Sequence, residues 1–122
     1  MPVKTFKAIL AEAAVAANAA GDAWMAEATK RGPAFNVINN NGRVVGQLLD
    51  VCGIVYLRCT DKRTTFGKWV AKQNGRGGAY VTIPHKYRMR QEMGLLEACE
   101  GAALKVLNDN GIQKVMLYSN ID

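Results

Sequence analysis

Eleven alanines fall between Ala8 and Ala28. No other feature of the sequence narrows the fold as much. Alanine has the highest intrinsic helix propensity, and over a window this long the bias is informative. Phe6, Leu10, Ala13, Ala17, Ala20 and Trp24 recur at spacings of three and four, so they share one helical face. Small side chains on that face let a second element approach closely, which favours core packing over a partner surface. Thr5 suits the N-cap. Gly32-Pro33 ends the helix, because proline disfavours helical backbone in the residue before it. Gly21-Asp22 is expected to kink or split it.

The next segment reads as strand. Ala34–Asn39 is followed by Asn40-Asn41-Gly42, whose Asn-Gly pair favours a tight hairpin turn. Arg43–Val51 and Ile54–Cys59 continue the pattern, and the three strands are expected to form an antiparallel meander. The apolar run Leu48–Leu57 implies that the middle of this sheet is well covered. A short helix follows, capped by Thr64 or Thr65, with Phe66, Trp69 and Val70 on its apolar side. Ala79–Ile83 is a fourth strand, closed by Pro84. A long helix is expected from about Arg88 to Asn110, with Met89, Leu96, Cys99, Ala103, Val106 and Leu107 on one face. Glu92 falls inside that apolar arc. Gly111 stops the helix, and Ile112–Tyr118 is a last strand that could pair parallel to a neighbour. The expected architecture is one α+β domain over residues 1–122, with the helices on one face of a mostly antiparallel sheet.

The scarce residues exclude several chemistries. The chain has one histidine, His85, and one serine, Ser119. A zinc site built on several histidines is impossible, and a Ser-His-Asp triad would need both singletons to meet. Cys52, Cys59 and Cys99 are odd in number and lack CxxC spacing, which argues against a disulfide framework or a zinc knuckle. A reduced, cytoplasmic setting is the simplest one. Lys4 and Lys7 before the alanine-rich stretch loosely mimic a signal peptide, but Glu12 and Asn18 interrupt it. No apolar run reaches the length of a spanning helix, so no membrane partner is expected.

The charge is uneven. The chain carries a formal +6 in 122 residues. Residues 58–90 hold nine basic residues and one acid, a net +8, so the remainder is −2. Phe66, Trp69, Tyr80 and Tyr87 are interleaved with the basic residues. Phosphates attract Lys and Arg with release of counterions, and aromatic faces accept unpaired bases. Gly75-Arg76-Gly77-Gly78 has the composition of segments that follow a nucleic-acid backbone. His85–Arg90 leads into the long helix, whose N-terminus suits an anion. A basic stretch is also often a solvated face, and it also suits an acidic protein partner.

Two resemblances bear on function. The fragment from Arg90-Gln91-Glu92-Met93 through Val115-Met116-Leu117-Tyr118-Ser119 resembles the helix and following strand of ribonuclease-H-like domains. That resemblance implies a helix Glu and a strand-end Asp on two metal ions, here drawn from Asp50, Glu92 and Asp122. Asn120 stands where an acid is expected after Ser119. The alternative for Glu92 is a role at the helix N-terminus or a pairing with a nearby Arg. Separately, the helix-meander-helix order of the first 73 residues is similar to that of double-stranded-RNA-binding domains, without their motifs.

The sequence is best read as a non-enzymatic nucleic-acid-binding module with no cofactor and no metal. Its expected contacts are Lys62, Arg63, Lys68, Lys72, Arg76, Lys86, Arg88 and Arg90, with Trp69, Tyr80 and Tyr87 as stacking candidates. The alternative is a small accessory or inhibitor protein, of the kind phages and mobile elements encode, acting by protein contact. That reading expects an apolar patch on Phe6, Trp24 or Met25.

Overall fold

The computed structural model describes residues 4–75 and 77–121. Helix α1 runs from Phe6 to Arg31 without interruption. The Thr5 hydroxyl accepts from the Ala8 N–H at 3.1 Å, and Gly32, at φ 89°, ends the helix. Gly21 does not break α1, because it lies where another segment presses in. A Cβ there would sit 2.5 Å from the Tyr87 ring and 2.8 Å from the Cys99 sulfur.

The expected meander divides into two sheets. Strands β1 (Phe35–Ile38) and β2 (Val44–Leu48) pair only with each other. The Asn39 side-chain oxygen accepts from Asn41 and Arg43 N–H at 3.0 Å each, which fixes their turn. Strand β3 (Gly53–Cys59) instead occupies the centre of a second antiparallel sheet, in the order β4-β3-β5. Strand β4 is only Tyr80–Val81. Strand β5 (Val115–Ile121) pairs antiparallel to β3 along its whole length, not parallel. The chain order of helix, three strands and helix remains, but the three strands do not form the single sheet that the likeness to double-stranded-RNA-binding domains requires.

Helix α2 (Thr65–Gln73) is capped by the Thr64 hydroxyl, which accepts from Gly67 N–H at 2.9 Å. Helix α3 (Met93–Asp109) starts five residues later than its apolar spacing suggests. Backbone pairing takes residues 91–93 first: Gly53 N–H donates to Gln91 C=O at 3.1 Å, and Met93 N–H to Val51 C=O at 2.8 Å. Met89 therefore lies in a turn and is 94% exposed rather than facing the core.

The core is one cluster in which α3 packs on β3 and β5, and α1 packs on α3. Leu57, Leu95, Cys99, Ala103 and Leu107 are fully enclosed. Phe66 and Val70 of α2 join it, with Phe6 edge-on to Phe66 at 5.1 Å. No helix among the described residues is long and apolar enough to cross a membrane.

Two of the helical glycines, Gly21 and Gly101, should respond oppositely to alanine. Gly21→Ala gains helix propensity, but its Cβ overpacks against a ring and a sulfur, so a net loss of about 1–2 kcal/mol is expected. Gly101→Ala meets nothing within 4 Å, and should gain roughly 0.5–1 kcal/mol. Urea unfolding of the two variants measures both signs.

Candidate nucleic-acid interface

Strand alternation gives the β4-β3-β5 sheet two unlike faces. Leu57, Cys59 and Val115 point toward α3 and are buried. Ile54, Tyr56 and Arg58 alternate with them and point away, beside Asn120, Tyr118 and Met116 of β5. Tyr80 of β4 pairs with Arg58 on the same side. This face is left to solvent: Ile54, Tyr80 and Met116 are each more than half exposed. The apolar run Leu48–Leu57 is thus covered on one side only.

Three tyrosines form a row across the three strands. Tyr56 stacks on Tyr118 with ring centroids 5.4 Å apart and meets Tyr80 edge-on at 5.2 Å. Mutual contact at these distances holds aromatic rings in fixed orientations. Tyr80 was legible as a stacking candidate. Tyr56, Tyr118 and the placement of Arg58 beside them were not, although the period-two alternation with Val55, Leu57 and Cys59 is the signal that marks the outer set.

The other sequence-predicted residues divide by what they touch. Lys62 lies exposed in the turn before α2, and Lys68 and Lys72 lie exposed on α2, one turn apart. Arg63 is also exposed but bonds Asp61 through Nε at 3.0 Å. Its guanidinium holds the Asp61 carboxyl below the ordinary range. Trp69 is half-buried, its ring centroid 5.6 Å from Phe6 and 6.0 Å from Phe66, so it serves the core. Arg76 lies outside the described residues.

Lys86 and Tyr87 are committed to an acid of α1, and Arg90 to one two residues on. Lys86 Nζ is 2.6 Å from Asp22. The Tyr87 hydroxyl donates to the same carboxylate at 2.5 Å, and its ring lies under Lys86 Nζ at 5.2 Å. Those two donors keep the Asp22 carboxyl below its ordinary range, Lys86 contributing most. Arg90 grips Glu92 with both Nε, at 2.9 Å, and Nη2. Arg58, Lys62, Lys68, Lys72 and Arg88 make no ion pair among the described residues. The net +8 of residues 58–90 is therefore partly offset by acids in α1 and at the start of α3.

Tyr80 and Arg88 meet at a cavity of about 190 Å³. His85 and Glu100 form its floor, with His85 Nε2 3.1 Å from Glu100 Oε1. Sequence reasoning missed Glu100. It sits four residues after Leu96 and three before Ala103, a carboxylate on the buried face of α3.

Of the ribonuclease-H-like carboxylates, Asp50 and Glu92 are each engaged by other groups. Asp50 Oδ2 accepts from the Gly94 N–H at 2.7 Å, at the start of α3. Glu92 is 1% exposed and taken by Arg90, and Asp122 lies outside the described residues. Among the described residues, no three His, Cys, Asp or Glu side chains are placed to hold a metal ion. The thiols of Cys59 and Cys99 are buried, and burial raises both, Cys99 to about 11, which disfavours the thiolate. Compared with known proteins, the chain matches no family model, no curated sequence and no solved structure.

The Glu92–Arg90 pair makes stability acid-sensitive. Arg90 holds the Glu92 carboxyl below its ordinary value of 4.5. A carboxyl lowered by folding stabilises the fold above that ordinary value, and the contribution is lost as pH falls through the lowered value. Arg90→Ala leaves the carboxylate buried without its partner. A loss of about 3 kcal/mol at neutral pH is expected, the low end of the usual range because Arg90 is itself partly solvated. The variant's acid-side fall in stability should also be shallower, measured by urea unfolding between neutral pH and the acid limb.

Proposed function

We propose that this chain binds single-stranded nucleic acid on the helix-free face of the β4-β3-β5 sheet, with no chemistry of its own. The observation that carries the reading is the row of Tyr80, Tyr56 and Tyr118 across three strands, with Arg58 beside it. Open sheet faces bearing aromatic rings suit unpaired bases, which stack on any exposed π-face. A double helix offers no such faces, because its bases are already stacked. The cations without acid partners, Arg58, Lys62, Lys68, Lys72 and Arg88, supply the phosphate attraction.

The expected salt response is modest. Single strands give a slope of about −0.7 per phosphate, so five contacts give a slope of about −3.5 in log affinity against log salt. Tyr80→Ala should weaken binding of a short single strand by roughly 1–3 kcal/mol, with the fold unchanged. Fluorescence anisotropy at low salt is the measurement. Absence of binding to both DNA and RNA single strands would sink the reading, as would equal affinity for duplex.

A second reading, contact with a protein partner, draws on a different surface. Phe6, Trp24 and Met25 pack against the core and do not form the expected patch. The β1–β2 hairpin does expose Phe35, Val37, Ile38, Val44 and Val45. Apolar side chains gathered on one exposed element favour an interaction role.

A further inference from the structure

We infer that the strand proposed above continues past the tyrosine row, crosses the edge of β4, and seats a further base in a groove between α1 and α2 beside Trp69. The inference rests on that proposed function and adds a second binding site to it.

The groove lies outside β4. Asn74, the C-cap of α2, donates through Nδ2 to the Gly78 C=O at 2.8 Å and to the Tyr80 C=O at 3.0 Å. Those bonds hold the end of α2 against the outer edge of the strand that carries Tyr80. A cavity of about 280 Å³ opens beside Tyr80 and Asn74. Another, of about 450 Å³, extends to Lys7 and Pro84. Leu10, Trp69, Gln73 and Thr82 line both, so the two form one groove. On the α1 side its wall includes Ala11, an exposed residue that offers only a methyl group. The larger cavity alone falls within the roughly 300–1,000 Å³ of small-molecule sites.

The walls are apolar and the rim is cationic. Leu10 and Pro84 line the groove, together with the part of the half-buried Trp69 that its contacts with Phe6 and Phe66 leave uncovered. Gln73 and Thr82 set an amide and a hydroxyl among them. Lys7 is exposed at the α1 rim and makes no ion pair among the described residues. Lys68 and Lys72 each precede a groove residue, Trp69 and Gln73, by one position. They therefore stand about 100° further round α2 from its buried Phe66 and Val70 side, at the outer rim. Among the described residues, no acid lines either cavity.

The chemistry of the occupant follows from these groups. They accept together an apolar body, a polar edge and a negative charge, and a nucleotide has all three. Its base packs on Trp69 and Leu10, as bases do on aromatic side chains generally. The Gln73 amide both donates and accepts, so it suits the edge of any base. The three lysines take the phosphates. An acyl chain would leave the amide and the hydroxyl without partners. Continuity favours a strand, because Tyr80 belongs both to the tyrosine row and to the near end of the groove. The path also gives Lys68 and Lys72 a role, since α2 carries them outside the sheet that bears the tyrosines.

The test uses the full chain with Trp24→Phe, which leaves Trp69 as its one tryptophan. A labelled thymine DNA strand of about twelve nucleotides is titrated. Anisotropy reports binding, and tryptophan emission reports the groove. Emission should be quenched at the strand concentrations that raise the anisotropy. Ala11→Leu fills part of the groove from a helical position that leucine suits nearly as well as alanine. It should remove the quenching and weaken binding about tenfold, the share of one stacked base. Lys7→Glu puts an acid in the first turn of α1, where the helix dipole favours it. It should weaken binding and make the salt slope shallower by about 0.7, the share of one phosphate. Thymidine monophosphate, at concentrations where the strand saturates, should leave the emission unchanged. Equal quenching by the mononucleotide overturns the strand path and makes the groove a free-nucleotide pocket. Binding without quenching overturns the inference, as does wild-type affinity in both variants, and a loss in Tyr80→Ala then leaves the tyrosine face standing. Binding of no strand overturns both.

Discussion

The close approach of α1 to α3 and to the segment before it governs the rest of the structure. Small side chains at Ala13, Ala17 and Gly21 give α1 a flank with almost no relief. Tyr87 and Cys99 fill the space that side chains would otherwise take. The same turn of α1 then fastens residues 86–87 by polar contacts: Asn18 accepts from Lys86 N–H at 2.8 Å, and Asp22 holds Lys86 and Tyr87. Because the neighbouring His85 and Arg88 line the cavity, its floor and rim are set by a helix that does not line it. The individual ion pair of Lys86 and Asp22 is exposed and contributes little stability. Its effect is to fix position.

All helical cover falls on one side of the β4-β3-β5 sheet. That asymmetry follows from composition along the strands. Leu57, Cys59 and Val115 need burial, whereas Arg58 and Asn120 oppose it. The tyrosines reconcile the two demands, since each has an apolar body and a hydroxyl that tolerates water. Stacking among them hides part of each ring while leaving Tyr80 accessible. A face of this kind needs no loop rearrangement to form, because its side chains are carried by paired strands.

Local features were legible in the sequence, and long-range pairings were not. The α1 boundaries, the Thr5 and Thr64 caps and the Asn-Gly turn depend on neighbours within four residues. Each follows from propensity and capping chemistry. The departure of β3 from the meander depends on β5, more than fifty residues away, and no nearby residue announces it. The start of α3 was displaced because 88–92 fit helical spacing, while their backbone had a better offer from residues 51–53. The candidate site was half legible for the same reason. Its charges and Tyr80 stand out in one dimension, but Tyr56 and Tyr118 become a pair only through strand register. Charge bookkeeping along the chain also misled. Asp22 returns to neutralise Lys86 across the fold, and Glu92, just past the counted stretch, neutralises Arg90 from two residues away.

The separation of the β1–β2 hairpin from the main sheet has a kinetic meaning. A two-stranded hairpin is marginal in water by itself, and this one lends almost no side chains to the buried cluster. Its ladder can therefore open without disturbing α1, α3 or the tyrosine row. The chain then has at least two levels of amide protection, with residues 35–48 exchanging through a local opening far below the free energy that frees Leu57 or Leu107. Such an opening transiently bares the strand edges of an apolar segment, which makes this hairpin the first place where two copies of the chain would associate at high concentration.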